Sequence, residues 1–280
     1  MQMSKNQVLR QRTITGIFFA IGVVLLLFSG KTGAIAFGCF IAGFSCYEYI
    51  RMIFHKNKKK LVSSLLLVAT TIILLSNQPP ESVLFKIICF LSMLCFAGGI
   101  FHLFRPFVDN KRFYWLISAI YFGLPLGLFV SYVYHAEHYY PAFWMAIIIF
   151  IWIADSGAYL IGSRIGKRLL FERISPKKTW EGFLGAGITS LLAAWMFSVY
   201  FTNWHEATST GNLLFWLSIA SIAWIIGTLG DLVESSIKRT FNVKDSGKLL
   251  PGHGGVFDRF DSFIYILPFI LFLLLILSNT

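Results

Sequence analysis

Long apolar stretches recur along the whole of this chain, separated by short polar connections. Nine can be drawn: Ile14 to Ser29, Thr32 to Ile50, Leu61 to Ser76, Val83 to Phe104, Phe113 to Tyr134, Pro141 to Ile161, Glu181 to Phe201, Leu213 to Val233 and Ser262 to Leu277. A helix rising about 1.5 Å per residue needs about 20 mainly apolar residues to cross about 30 Å of hydrocarbon. The pattern therefore predicts an all-α polytopic integral membrane protein with about nine transmembrane helices.

The basic residues test this count independently, because Lys and Arg gather on alternate loops when no span has been missed or invented. Of the 24 Lys and Arg, all but Lys31 and Lys86 fall on the N-terminus and on the second, fourth, sixth and eighth connections. The connections around Glu137 and from Trp204 to Thr210 carry none. The expected topology has the N-terminus cytoplasmic and the C-terminus outside. Residues 1–134 form a membrane scaffold of about five spans. Residues 135–280 are expected to form a second membrane region of about four spans, which holds nearly all the polar chemistry and two long cytoplasmic loops, Ser163 to Lys178 and Glu234 to Asp261.

Composition agrees, with 56% hydrophobic and 13% charged residues against the roughly 25% charged that is usual in soluble domains. A net charge of +11 could suggest a nucleic-acid partner, but apolar runs cut the basic residues into short clusters, so no continuous basic face forms. No nucleic acid is expected. Cys39, Cys46, Cys89 and Cys95 lie inside apolar stretches without metal-ligand spacing. Lys5, Arg10 and Arg12 before the first apolar run have the outline of a signal peptide, but no small-x-small pattern follows Ser29, so a retained span is expected.

Carboxylates inside spans cost roughly 2.5–3.5 kcal/mol each at the membrane centre and require a reason. Asp155, Asp231 and Glu48 lie near the cytoplasmic ends of their spans, and Asp258 and Asp261 just precede or open the last one. In DLVESSIK, a continuing helix would place Asp231, Ser235 and Lys238 on one face at i, i+4 and i+7. Asp258 and Asp261, at i and i+3, can share another. Oxygen ligands from two helices suit Mg²⁺. Between them KDSGKLLPGHGGVFDRFD combines glycines with Lys244, Lys248, His253 and Arg259, which suggests polyphosphate binding. Gly162 to Lys167, GSRIGK, is one residue short of a Walker A loop and lacks its final hydroxyl, so a P-loop fold is not supported.

The segment Ser235 to Asp261, SSIKRTFNVKDSGKLLPGHGGVFDRFD, resembles throughout the signature of the CDP-diacylglycerol synthase (phosphatidate cytidylyltransferase) family. Ser175 to Gly182, SPKKTWEG, and the DSGAYLIG run from Asp155 are similar to it too, so the resemblance covers about the C-terminal half. It implies transfer of a cytidylyl group from CTP to phosphatidic acid, giving CDP-diacylglycerol and pyrophosphate. Catalytic roles fall to Asp231, Ser235, Lys238 and Asp258, and metal binding to Asp231, Asp258, Asp261 and Asp155. Substrate contacts fall to Ser175, Lys177, Lys178, Thr179, Arg239, Lys244, Asp245, His253, Gly254, Gly255 and Arg259. The resemblance also implies a second cation of unknown identity, a homodimer, and a place in the bacterial inner membrane with a cytoplasmic active site. His253 could instead be a turn residue, Lys177 and Lys178 could serve orientation alone, and Glu48, outside the matched segment, is expected to be structural. Two alternatives stand: a CTP-dependent lipid-alcohol kinase, since such membrane kinases look distantly related and also need Mg²⁺ and triphosphate binding, and a secondary transporter, which intramembrane carboxylates would also fit.

Overall fold

The computed structural model describes residues 5–55, 57–104, 111–200, 213–252 and 254–278. His253, Lys56, Arg105 and the expected outer connection within 201–212 lie outside them. The described residues form ten α-helices: α1 Lys5–Phe28, α2 Lys31–Phe54, α3 Lys58–Ser76, α4 Val83–Phe104, α5 Lys111–Ser118, α6 Leu124–His135, α7 Pro141–Ile165, α8 Trp180–Tyr200, α9 Leu213–Thr240 and α10 Phe257–Ser278. A π-helical turn, Ala119–Gly123, joins α5 to α6, so the fifth apolar block is one composite span, Phe113–His135.

Eight of these helical spans are long and apolar enough to cross a membrane, and the apolar part of α1, Thr13–Phe28, is shorter. The protein is an all-α polytopic membrane protein. Lipid, not water, accounts for its surface: α8 exposes Leu184, Ile188, Leu192 and Trp195, a helical stripe that no soluble fold would leave uncovered.

Local sequence sets the ends. The Asn57 side chain accepts the Lys60 amide at 3.1 Å and caps α3, and Pro141 opens α7, where its missing N–H costs nothing. The loop after α7 departs from the all-helical expectation. It folds into an antiparallel hairpin of β1 Leu169–Phe171 and β2 Ser175–Thr179. Pro176 is tolerated there because a two-stranded hairpin consists only of edges. Thr179 then caps α8, its Oγ1 accepting the Gly182 amide at 3.1 Å.

The centre of the molecule is α10, which packs against α9, α4, α6 and α2. Small residues let it approach α9: a Cβ on Gly230 would stand 2.5 Å from Tyr265 Cβ, and Ser262 Oγ donates to Gly227 O at 3.0 Å. Phe257, the first residue of α10, is wedged among Phe122, Tyr121 and Tyr49, with ring centroids 5.1, 5.6 and 6.1 Å away. Further along the helix Phe263, Ile264, Leu267 and Leu271 are buried, so the middle of α10 is core.

Candidate active site

Helix α9 continues past Val233 to Thr240, which carries DLVESSIK as helix and puts its polar face towards the start of α10. Ser235 Oγ donates to Asp231 Oδ1 at 3.2 Å, across one turn. Asp231, Glu234 and Asp261 each present a carboxylate oxygen, and these atoms lie within 4.8 Å of one another. Glu234 and Asp261 are buried. Glu234 is the member that the sequence left unassigned. Its signal was the i, i+3 spacing from Asp231, the same spacing that links Asp258 to Asp261.

Two lysines border the cluster. Lys238 Nζ lies 2.6 Å from Glu234 Oε2 and donates to Asp258 Oδ1 at 2.8 Å, in a pair only about a tenth exposed. Lys178, from β2, reaches Asp231 Oδ2 at 2.6 Å. Desolvation pulls the Lys178 ammonium down, but Asp231, by charge and by hydrogen bond, with Asp155 and Asp261 behind it, outweighs that and holds its pKa above the ordinary lysine value.

Asp258 has a different role from its neighbours. Besides Lys238, its oxygens accept the Ser246 amide at 3.1 and 3.0 Å and the Gly255 amide at 2.8 Å. It therefore ties the glycine-rich loop to the head of α10 and lies outside the 4.8 Å set. Gly254, at φ +85°, makes the close turn possible. A Cβ there would stand 2.5 Å from Asp258 Oδ2.

Two cavities meet at this point. One, of about 270 Å³, is lined by Asp155, Asp231, Glu234, Lys238, Asp258 and Asp261, together with Asp245 and Arg259. The other, of about 310 Å³, is lined by Ser175, Lys177, Lys178, Thr179, Asp155 and Asp231, with Tyr159 and Phe183 among its apolar walls. Asp155 and Asp231 belong to both. The structure thus brings together most of the residues singled out from the sequence. Arg239 is turned away, donating to Ile174 O at 3.3 Å and Val243 O at 3.1 Å, where it fastens the hairpin to the end of α9. Lys244 is exposed and lines neither cavity. Glu48, from α2, is buried beneath the loop.

The donor set fits a divalent cation. Three carboxylates converge on a partly desolvated space, and Glu234 Oε1 has no hydrogen-bond partner among the described residues. Among the described residues Oε2 faces the ammonium of Lys238, close enough for an ion pair but without hydrogen-bond geometry. Buried acids this close repel unless a positive charge is shared among them, and all-oxygen donors suit a hard ion.

The model of the cytidylyltransferase family matches residues 10–277, nearly the whole chain. The chain belongs to the cytidylyltransferase family. Among relatives of this family member, the phosphatidate cytidylyltransferase of Bacillus subtilis (strain 168) is 41% identical over 162 residues, 58% of each chain. That of Staphylococcus aureus (strain COL) is 41% identical over 160 residues, 57% of this chain and 58% of its own. The matched part thus spans under two thirds of these relatives' length.

Proposed function

We propose that this family member is a phosphatidate cytidylyltransferase, an enzyme joining CTP to phosphatidic acid to give CDP-diacylglycerol and pyrophosphate. The observation that carries it is the set of Asp231, Glu234 and Asp261 within 4.8 Å, bordered by Lys178 and Lys238, in a chain of this family.

A phosphate oxygen of phosphatidic acid attacks the α-phosphorus of CTP; its new P–O bond forms as the bond to the β-phosphate oxygen breaks, and pyrophosphate leaves. A phosphate monoester has its second pKa near about 6, so the nucleophile is already ionised near neutral pH and needs no strong base. The difficulty is bringing two anions together. Asp231, Glu234 and Asp261 would hold Mg²⁺, with Asp155, which lines both cavities, the carboxylate available to a second cation. Bound there, the metal neutralises phosphate charge. Lys178, Lys177 and Ser175 line the adjoining cavity and would clamp the triphosphate. Lys238 holds Glu234 and Asp258 in place, Ser235 orients Asp231, and Arg259 adds positive charge to the cavity wall. With Asp261 in the second turn of α10 and Asp231 in the last third of α9, the site is offset towards one end of both helices, so acyl chains can remain in the bilayer while the nucleotide arrives from water.

This one-sided placement favours transfer over transport, which needs a site reachable from both faces. The cytoplasmic orientation, the bacterial inner membrane and a homodimer belong to the same proposal. Purified protein given phosphatidic acid, Mg²⁺ and CTP labelled at the α-phosphate should yield a labelled lipid and unlabelled pyrophosphate. A lipid-alcohol kinase would leave the label in CDP.

A further inference from the structure

We propose that Glu48, on α2 in the N-terminal half, is a positioning residue for the acidic site, the template against which Ser246, Gly247 and Gly255 of the glycine-rich loop are moulded. The proposal rests on the reaction given above. Glu48 is 3% exposed, and its Oε2 accepts both the Ser246 hydroxyl, at 3.2 Å, and the Phe257 amide, at 3.0 Å. One oxygen thereby joins the loop to the first residue of α10.

The connection runs on to the cluster. Ser246 gives its amide to Asp258, Asp258 accepts from Lys238, and Lys238 pairs with Glu234. The next residue along α2, Tyr49, holds the Phe257 ring from below. Two glycines show how closely the loop is moulded to the carboxylate. A Cβ on Gly247 would stand 2.5 Å from Glu48 Cδ and 2.9 Å from Cγ, and one on Gly255 would stand 2.6 Å from the same Cδ. At Gly247 the three nearest atoms all belong to Glu48. Both hydrogen bonds fall on one oxygen, and Oε1 has no hydrogen-bond partner among the described residues. An amide carbonyl would satisfy both donors, so the function needs the acceptor and not the charge.

The experiment combines substitution with a double-mutant cycle. Glu48→Ala should lower kcat roughly 100-fold while changing the KM for CTP by less than about threefold, because two buried donors lose their acceptor and the loop shifts. Glu48→Gln should keep kcat within about fivefold of the parent, since its carbonyl replaces Oε2. Gly247→Ala should cost about tenfold or more in the parent but less than about twofold in Glu48→Ala, where the space it needs has been vacated. Trypsin should cut after the exposed Lys244 and Lys248 faster in Glu48→Ala and in Gly247→Ala than in the parent or in Glu48→Gln. Parental kcat in Glu48→Ala, a Gln variant as impaired as the Ala variant, or additive costs in the cycle would overturn the proposal. If Glu48→Ala fails to fold, Glu48→Gln and Gly247→Ala decide it by the same criteria. If the parent transfers no cytidylyl group, the reaction proposed above fails, and the tryptic rates alone judge Glu48.

Discussion

Lys238 stands between Glu234 and Asp258, and its replacement by Met would leave two buried carboxylates facing each other. Breaking a buried ion pair by removing one partner costs about 3–5 kcal/mol, so Lys238→Met should unfold at clearly lower temperature in detergent and lose activity. Lys178 should behave differently. Its side chain and that of Asp231 are 27% and 30% exposed, so water screens the pair and Lys178→Met should leave thermal stability nearly unchanged. Steady-state kinetics should instead show a KM for CTP raised about tenfold, the loss of one charged phosphate contact. Because its pKa is raised, the Lys178 ion pair is fully present below the ordinary lysine value of about 10.4 and is lost only as pH rises through the higher folded value. A pH–rate profile should therefore show no alkaline fall from this residue below about pH 10. Asp231, Ser235 and Lys238 were legible from spacing alone, because a helix turns that spacing into a face. Glu234 was not singled out, since its burial between α9 and α10 arises only when the two helices pack.

Helices α9 and α10 hold the cluster together only while their backbones approach closely. Gly230→Ala would put a methyl 2.5 Å from Tyr265 Cβ, an atom fixed to backbone that cannot swing aside. Overpacking typically costs about 1–3 kcal/mol, more than the roughly 1 kcal/mol of helix propensity that Ala gains over Gly. The variant should melt at lower temperature and turn over more slowly, because Asp231, one residue further on, moves away from Asp261. Unchanged melting and turnover would show that the contact does not position the cluster. At this scale the nine apolar blocks marked the spans well, since burial in lipid writes itself into every residue of a span. The hairpin of β1 and β2 was missed because β1 is only three apolar residues long, β2 is polar and carries Pro176, and the pairing depends on contacts across a turn. Helix ends were also off where polar residues continue a helix beyond the hydrocarbon, as α9 does to Thr240.

The whole molecule divides less cleanly than its sequence suggests. The first five spans carry little visible chemistry, yet α2 supplies Glu48 to the loop and Tyr49 to the base of α10. That link joins residues about 200 positions apart, a separation at which spacing carries no signal. The alternation of Lys and Arg along the chain favours the proposed topology, in which the glycine-rich loop is cytoplasmic. In a chain freed of its own cysteines, Lys248→Cys in intact cells should resist an impermeant thiol reagent while Glu137→Cys reacts. The reverse would invert the topology. The central claim is that the carboxylates where α9 meets α10 grip a divalent cation that lets two phosphorylated reactants meet. Its most direct test is the Mg²⁺ dependence of CDP-diacylglycerol formation by purified, folded Asp231→Asn and Asp261→Asn proteins. Each variant should lose turnover at least about 100-fold at Mg²⁺ concentrations that saturate the parent, by analogy with removal of other charge-stabilising groups. Parental turnover with an unchanged Mg²⁺ requirement in either variant would contradict the claim.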